Sequence, residues 1–373
     1  MKLALRSCAV FLCVLLMLSV VPPVRATETV YFTAVNETVL KLSDTTMPFV
    51  QNGILYVSSE MFADKELGIT YYHNVVTKAA TLYNADGALQ FDLEKGTAAY
   101  ADGRPMPVAA ILRGSRVFFP VEIVAGYFGL DFTQSEVAHG FIVRLRSADS
   151  VLNNRLFLDA ATSLLEYRYE EYQKSAVPDV PDPPDVPDPP KPPEPPVADK
   201  RTVYLGFRMA ENSGHLLGVL TGSEAPATFF FTQEQIVQHP VFVRQLLVMG
   251  CGIGLVVDCA QQTGVAEQLR TANELLWRIA GTKTRLCVLD NAGTADVESA
   301  RSGGYCPFYA DVERGLPDNG AGDLYRTIHR QTGDTVTVWL DNHAAEVGLL
   351  AFLRLTEDNG DRLAVLTESV LEH

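Results

Sequence analysis

Acidic residues that directly follow short apolar segments are the feature of this sequence with the clearest potential for chemistry. Four such segments in the second half of the chain end in Asp258, Asp290, Asp311 and Asp341. Arg208 ends another apolar segment, and His343 follows the last aspartate by two positions. Because the carboxyl ends of parallel strands share one rim of a barrel, we expect these six side chains to lie near one another.

Three interpretations of this predicted rim stay open. In the first, the aspartates cap the helices that follow them or begin turns, as short acidic side chains commonly do. In the second, Arg208 is a fixed cation that pairs with Asp258 or Asp290 and holds a non-catalytic site together. In the third, the carboxylates and His343 form a relocated site that binds a divalent metal ion or a cationic sugar.

The elements that must position these residues are predicted for residues 200–373. Seven apolar runs of strand length occur there, at 203–207, 227–231, 252–257, 285–289, 306–310, 335–340 and 363–366. Helical patterns separate several of them, for example at 239–250 and 265–281. Strands that alternate with helices predict an α/β domain with a mostly parallel sheet, and seven unevenly spaced strands predict a distorted (β/α) barrel.

Three segments of this domain carry a resemblance to a known family. They are APATFFFTQEQIVQHPVFVRQLLVMGCGIG at 225–254, RIAGTK at 278–283 and NGDRLAVLTESVLE at 359–372. In order and spacing they resemble the polysaccharide deacetylase (NodB-like) family. The resemblance implies a barrel of that type and, for an active member, hydrolysis of the C–N bond in N-acetylated polysaccharide.

The residues that would carry this chemistry are replaced. Members of the family use an Asp-Asp pair as base and metal ligand, and two histidines at i and i+4 complete the metal site. Arg208 and Met209 stand at the positions of the acid pair, and Val256 and Ala260 at those of the histidines. Two later motifs are also missing, at 288–293 and 339–340. We therefore expect no metal, no cofactor and no catalysis, unless the rim aspartates build a new divalent-metal site.

The first half of the chain contains an internal repeat. Residues 52–74 match residues 114–136 in the order apolar strand, break, acid, helical turn, glycine and second strand. Turn signals and alternating apolar residues fill the interval between the two copies, as in a β-rich domain. The sequence therefore predicts an α+β module over residues 27–148, built on a repeated strand–helix–strand unit.

The segment VFFPVEIVAGYFGLDF at 117–132 gives this module a family resemblance. It is similar to the copper amine oxidase N-terminal-like domain, which implies a stalk or binding module without copper and without an oxidase site. His73 and His139 are the histidines of the module, and they form no ligand motif. Satisfied surface histidines are the expected outcome.

The remaining segments concern location and spacing. Residues 1–26 read as a secretory signal peptide, which predicts a secreted or envelope protein with no membrane association after cleavage. Residues 149–177 predict a charged helix, and the proline-rich run at 178–196 predicts an extended spacer that holds its neighbours up to about 60 Å apart. The net charge of −15 excludes nucleic acid and anionic membranes as natural partners. The four cysteines after the signal peptide permit three pairings, and none is selected by their spacing.

Three functions fit these features. A non-catalytic envelope protein would bind cell-wall or extracellular glycan in a deacetylase-like groove, and Tyr309, Phe308 and Trp339 would either stack on sugars or belong to the core. A divergent carbohydrate amidohydrolase would use the aspartate rim with a metal. A structural protein would bind only its protein neighbours. The glycan, the cysteine pairing and the oligomeric state stay open.

Overall fold

The computed structural model describes residues 29–63, 65–175, 200–210, 213–340 and 344–371. The predicted signal peptide and the proline-rich segment lie outside these residues. Among the described helices, none combines the length and the apolar character that crossing a membrane requires.

Short strands dominate the N-terminal module. They are β1 (Val30–Val35), β2 (Thr38–Val39), β3 (Phe49–Gln51), β4 (Ile54–Ser58), β5 (Thr70–Asn74), β6 (Ala79–Tyr83), β7 (Ala88–Asp92), β8 (Thr97–Tyr100), β9 (Ile111–Arg113), β10 (Arg116–Pro120), β11 (Asp131–Val137) and β12 (Gly140–Arg146). They form three four-stranded sheets in the orders β11-β12-β1-β2, β3-β4-β10-β9 and β5-β6-β7-β8. Fully buried side chains such as Phe62, Phe119 and Leu145 belong to the core that these sheets share.

The two segments that match in sequence differ in the helical elements between their strands, so the predicted repeat of a strand–helix–strand unit is not shown. In the first, β4 leads into two 3-10 helices, Ser59–Phe62 and Lys65–Leu67, and then into β5. In the second, β10 leads into helix α1 (Val121–Phe128) and then into β11. Gly129 ends α1 with a φ of 66°, a conformation that glycine adopts without strain. β4 and β10 pair with each other, so the two segments adjoin in the module.

Helix α2 (Asn154–Ser175) lies within the segment for which the sequence predicts a charged helix. Its buried face consists of Phe157, Ala160, Ala161, Leu164 and Leu165. The fully buried Arg144 of β12 contacts helix α2, because the Arg144 guanidinium lies 3.9 Å from the centre of the Phe157 ring. Arg144 also donates to the carbonyl oxygens of Asn36 at 2.7 Å and Leu152 at 3.0 Å. The helix is therefore an integral part of the N-terminal module.

The C-terminal domain alternates strands with helices, as the sequence predicts. Its strands are β13 (Thr202–Arg208), β14 (Thr228–Thr232), β15 (Gly252–Asp258), β16 (Leu286–Asp290), β17 (Cys306–Pro307), β18 (Val312–Arg314), β19 (Thr335–Leu340) and β20 (Arg362–Ala364). Its helices are α3 (Ser213–Gly222), α4 (Gln233–Gln238), α5 (Pro240–Val248), α6 (Val265–Ala280), α7 (Thr294–Ser302), α8 (Ala321–Ile328), α9 (Glu346–Asp358) and α10 (Glu368–Leu371).

The sheet of this domain is parallel and curled. Its order is β17-β16-β15-β14-β13-β19-β18, and β20 pairs with β13 as well. Phe308 follows β17 and Trp339 lies on β19, near opposite ends of this order, yet their ring centroids are 5.7 Å apart. Such a contact requires the sheet to close around a common interior. The domain is a distorted barrel, because no strand pairing joins β17 to β18 within the described residues.

Alternation along β13 separates the two faces of the barrel wall. Val203, Leu205 and Phe207 are fully buried in the layer between the sheet and the helices. Gly206 faces the interior, where an added Cβ would lie 3.2 Å from Trp339 and 3.3 Å from Phe308. Because side chains alternate with a period of two, Arg208 also faces inward, at the carboxyl end of the strand.

The two domains contact each other directly through α2. Arg168 pairs with Glu224 at 2.6 Å, and Arg244 pairs with Asp159 at 3.2 Å. Val248 of α5 belongs to the same buried cluster as the side chains of α2 and the β1–β12 sheet. The prediction that the proline-rich segment keeps the domains up to about 60 Å apart is therefore wrong. The apolar face of α2 covers surface on both domains and holds them in direct contact.

No disulfide joins the four cysteines of the described ranges. Cys251 and Cys287 are buried in the layer between sheet and helices. Burial raises the pKa of the Cys251 thiol to about 11 and that of Cys287 to about 12.

Candidate functional site at the carboxyl ends of the barrel strands

An ion pair occupies the centre of the strand-end rim. Arg208, at the end of β13, donates through Nη1 to Oδ1 of Asp290 at 3.1 Å and through Nη2 to its Oδ2. Asp290 ends β16, and both side chains are 30% exposed. The two parallel hydrogen bonds form the bidentate geometry in which arginine and carboxylate interact most strongly. Of the two partners that the sequence offered to Arg208, the structure selects Asp290.

Asp258 lies beside this pair and has partners of its own. It ends β15, in register with Asp290 on the neighbouring strand. Its Oδ1 accepts hydrogen bonds from Asn291 Nδ2 at 2.9 Å and from the Ala260 amide at 3.0 Å. These bonds lower the pKa of the Asp258 carboxyl below its ordinary value. Asp258 therefore begins a turn, as the first of the three interpretations expects, while it stays half-buried at the edge of the groove described below.

Asp311 is not part of the rim. Its Oδ2 accepts hydrogen bonds from the backbone amide of Thr337 at 2.8 Å and from the Thr337 hydroxyl at 2.9 Å. Thr337 is in register with Tyr204, four residues before Arg208 on β13, which is about 13 Å along the strand. The prediction that Asp311 lies at the rim is wrong because β17 is only two residues long. The chain that follows β17 therefore meets β19 well below the strand ends. Asp341 and His343 lie outside the described residues.

The positions of the four replaced family residues differ in their surroundings. Only Arg208 lies in the rim pair, whereas Met209 is 4% exposed and packs in the layer between sheet and helices. Val256 is buried in the barrel interior, and Ala260 is exposed in the turn after β15. The described residues contain no group of three histidine, cysteine or acidic side chains that could hold a metal ion.

Aromatic side chains fill the barrel beneath the ion pair. Phe230, Phe308 and Trp339 are 0%, 6% and 8% exposed and form one interior cluster with Val256. The Phe230 centroid lies 5.3 Å from those of both other rings. Gly206 and Gly254 leave the room that these rings take. Phe308 and Trp339 thus belong to the core, and of the three aromatic residues considered for sugar contacts only Tyr309 is exposed, at 60%.

A groove of about 540 Å³ opens beside the pair. Its walls come from the ends of β14, β15 and β16 and from the residues that follow them, and they include Thr232, Gln233, Glu234, Val237, Gln238, Val256, Val257, Asp258, Gln261, Gln268 and Asp290. Four glutamines and three acidic residues therefore line one space, and the Gln268 amide among them already donates to the carbonyl oxygens of Asp258 and Thr263. The Gln233 and Gln261 side chains are exposed, and no described residue hydrogen-bonds to either amide. These glutamines were not predicted from the sequence, although the QEQ segment directly after β14 and the QQ pair shortly after β15 indicate them.

This geometry can bind a polar ligand, but its charges do not suit every ligand. Arg208 compensates one of the three groove carboxylates, and Glu234 and Asp258 keep the space acidic. Amides and carboxylates both accept hydrogen bonds from hydroxyl or ammonium groups, and amides donate as well. The groove is thus suited to hydroxyl-rich or cationic molecules and repels anions.

Comparisons with known proteins give matches to two different parts of the chain. The family model of the copper amine oxidase N-terminal domain matches residues 34–141. The search of curated proteins found no significant match. Solved structures similar to the chain share 13–18% identity in the three cases below, and they cover its C-terminal part.

One similar structure is the polysaccharide deacetylase Bc1974 from Bacillus cereus, with 15% identity, 46% of this chain and 94% of that chain covered, and a TM-score of 0.39. A second is the peptidoglycan deacetylase PdaC from Bacillus subtilis, with 18% identity, 47% and 91% coverage and a TM-score of 0.37. A third is BA3943 from Bacillus anthracis, a CE4 family pseudoenzyme, with 13% identity, 47% and 66% coverage and a TM-score of 0.39. Residues 34–141 therefore match the copper amine oxidase N-terminal domain, as the sequence predicts for this module, and the solved structures similar to the C-terminal part include polysaccharide deacetylases and a CE4 family pseudoenzyme.

Proposed function

We propose that the C-terminal domain binds a neutral or cationic glycan in the groove beside Arg208 and Asp290 without hydrolysing it. The observation that carries the proposal is the bidentate ion pair at the carboxyl end of β13. It stands where the deacetylase-like sequence has lost the first residue of its acid pair.

The pair removes both requirements of metal-dependent hydrolysis. Arginine stays protonated in proteins, so Arg208 cannot accept a proton from water. Its guanidinium occupies one lone pair on each oxygen of Asp290 and compensates the negative charge, which weakens the attraction of this carboxylate for a metal ion. A fixed positive charge at this point also repels a divalent cation. The pair therefore supplies no base and disfavours a metal-activated water at this point.

The groove retains the features of a sugar-binding surface. Gln233 and Gln261 can donate to and accept from sugar hydroxyls, while Glu234 and Asp258 accept from hydroxyl or ammonium groups. Val237, which is exposed in the groove wall, provides an apolar contact for a sugar ring face. Anionic polysaccharides are disfavoured by the groove and by the net charge of −15.

The place of action in this proposal is the cell envelope or the space outside the cell. It rests on the signal-peptide pattern of residues 1–26 and on the acidic composition of the remaining chain. The direct packing of α2 against α3 and α5 orients the groove relative to the N-terminal module. The groove would therefore have a fixed orientation relative to the N-terminal module, which a flexible linker alone would not provide.

Calorimetric titration of the full chain with N-acetylchitotetraose and with its deacetylated form tests the proposal. We expect saturable binding of at least one of them, and about tenfold weaker binding for Asp258→Ala, the loss of about one charge-assisted hydrogen bond. Glu357→Ala removes an exposed carboxylate of α9 that does not line the groove, so it should bind as the wild type does.

Release of amine from the N-acetylated ligand decides between binding and catalysis. The proposal expects no amine with or without added zinc, manganese or cobalt. Metal-dependent release that Asp290→Asn abolishes would instead establish a divergent carbohydrate amidohydrolase. If neither ligand binds at millimolar concentration, the remaining interpretation is a structural protein that binds only its protein neighbours.

A further inference from the structure

The sheet β5-β6-β7-β8 of the N-terminal module covers the core with one face and leaves the other open. The core-facing residues, among them Ala80, Leu82, Leu89 and Phe91, are fully or almost fully buried. The opposite face, which we call the tyrosine face, carries Thr70, Tyr72, Asn74, Ala79, Thr81, Tyr83, Ala88, Gln90, Asp92, Thr97 and Ala99. Its membership follows from the alternation of side chains along paired strands.

Small side chains in the middle of the tyrosine face leave a groove. Ala79, Thr81 and Ala99 line a groove of about 460 Å³ that crosses β6, β7 and β8. The segment from Gly103 to Pro105 forms one wall, because Pro105 pairs with Ala99 through an isolated bridge. Tyr72 stands beyond Thr81, its register partner, on the opposite side. The face therefore has a floor, a wall and an aromatic border.

Two tyrosines on this face are exposed and have no partner within the described residues. Tyr72 is 56% exposed and Tyr83 is 42% exposed, and neither takes part in a hydrogen bond or ring contact there. Tyr72 is in register with Thr81, and Tyr83 with Thr70, so the two rings are diagonal neighbours on adjacent strands. At this spacing two aromatic rings can contact one ligand together.

The tyrosine face is electrically neutral on a strongly acidic protein. Its one charged group, Asp92, accepts a hydrogen bond from Lys95 Nζ at 2.9 Å and two more from the Glu94 and Lys95 amides. At the border, Lys78 pairs with Glu94 at 2.8 Å. With every charge compensated, the face attracts neither cations nor anions, and it complements an uncharged partner.

We propose that the tyrosine face binds an uncharged, extended polysaccharide. The flat C–H faces of the sugar rings would lie on Tyr72 and Tyr83, whose exposed rings provide the apolar contact. The Gln90 amide and the Thr81 hydroxyl, which point from the floor of the groove, would bond to the hydroxyl groups of the sugars. This second contact area lies on a different domain from the groove beside Arg208, and its existence does not depend on binding there.

Depletion isotherms of the full chain on insoluble chitin and cellulose, two uncharged polysaccharides, test the inference. Wild type is expected to adsorb to at least one of them. Combined Tyr72→Ala and Tyr83→Ala should weaken adsorption by about tenfold or more, since the aromatic contacts supply most of the apolar area. Combined Tyr72→Phe and Tyr83→Phe keeps both rings and should adsorb nearly as the wild type does.

Matched control variants distinguish the tyrosine face from two neighbouring or competing surfaces of the protein. Val75→Ala with Val76→Ala removes exposed apolar side chains from the adjacent turn and should retain adsorption. Asp258→Ala weakens the groove of the C-terminal domain, so every isotherm is repeated in this background, where the remaining adsorption reports the tyrosine face. Failure of the wild type to adsorb, complete loss in Asp258→Ala, full adsorption by the double alanine variant in the Asp258→Ala background, or loss in the valine variant would each overturn the inference. Thermal unfolding midpoints equal to that of the wild type exclude misfolding as the cause of a loss.

Discussion

The interior of the barrel and the rim directly above it belong to the same strands but differ in almost every property. Phe230, Phe308 and Trp339 pack into a closed apolar layer. At the strand ends, Arg208 and Asp290 form a charged pair that is 30% exposed. The difference shows that the interior stabilises the fold and that the rim carries the chemistry of the site. The interior stabilises the barrel whichever side chains end the strands, so the rim can change its chemistry while the fold remains.

The largest expected effect comes from opening the interior layer. Trp339→Ala should lower the free energy of unfolding by about 3–5 kcal/mol, because it leaves a cavity among rings that cannot collapse fully. Chemical denaturation measures the change. Tyr309→Ala, the matched exposed aromatic at the end of the neighbouring segment, should stay within about 0.5 kcal/mol of the wild type. Equal losses in the two variants would mean that the interior is not the stabilising layer.

Alkaline pH probes the buried layer on the other face of the same strands. The pKa of the Cys251 thiol is raised to about 11 and that of Cys287 to about 12, both chiefly by burial. The unfolded chain therefore loses these protons near pH 9 while the native protein keeps them. The free energy of unfolding should fall above pH 9, by about 1 kcal/mol per pH unit for each thiol.

Cys251→Ala and Cys287→Ala measure the contribution of each thiol to that pH dependence. Each variant should flatten the decline of the unfolding free energy between pH 9 and 11. If the unfolding free energy of both variants falls with the wild-type slope, other groups cause the alkaline effect. The buried thiol layer would then not be responsible for it.

The ion pair at the rim should have a smaller effect on stability. A double-mutant cycle of Arg208→Ala and Asp290→Ala is expected to give a coupling energy of about 1–2 kcal/mol, between that of exposed and fully buried pairs. High salt should reduce the coupling, because the pair is partly exposed. A coupling near zero would mean that the pair seen in the structure contributes nothing to holding the site together.

The turn at Asp258 gives the smallest effect. Hydrogen bonds from Asn291 and the Ala260 amide lower the pKa of this carboxyl below its ordinary value of 3.8. Its contribution to stability is therefore present at neutral pH and is lost as the pH falls through the lowered pKa. Asp258→Asn should reduce the steepness of acid unfolding slightly, measured by circular dichroism, with Glu357→Gln as the control. A larger change in the control would refute this assignment.

Much of the C-terminal fold could be predicted from the sequence because its strands are short and apolar. The runs at 203–207, 252–257 and 335–340 became β13, β15 and β19 almost residue for residue. β18 was missed because Val312–Arg314 is three residues long and mostly polar. The misplacement of Asp311 has the same origin, since Pro307 ends β17 early and no pattern in the sequence shows where the chain then turns.

Arg208, Asp258 and Asp290 were predictable as members of the rim, but the pairing of Arg208 with Asp290 was not. Asp258 and Asp290 end neighbouring strands, and only the turn at Asn291, which binds Asp258, leaves Asp290 to Arg208. The contact between the domains was missed although α2 carries a readable signal. Its buried residues Phe157, Ala160, Ala161, Leu164 and Leu165 recur with helical spacing, but the charged residues of the same helix dominated its interpretation.

The central claim is that the rim of the C-terminal domain binds glycan and has lost its hydrolytic chemistry. The most direct test follows the titration of the full chain with N-acetylchitotetraose and its deacetylated form while free amine is measured, with and without zinc. The account predicts saturable binding that Asp258→Ala weakens, and no amine at any zinc concentration. Amine release that requires zinc and Asp290 would contradict it, because a carboxylate bound by Arg208 could then still serve a metal.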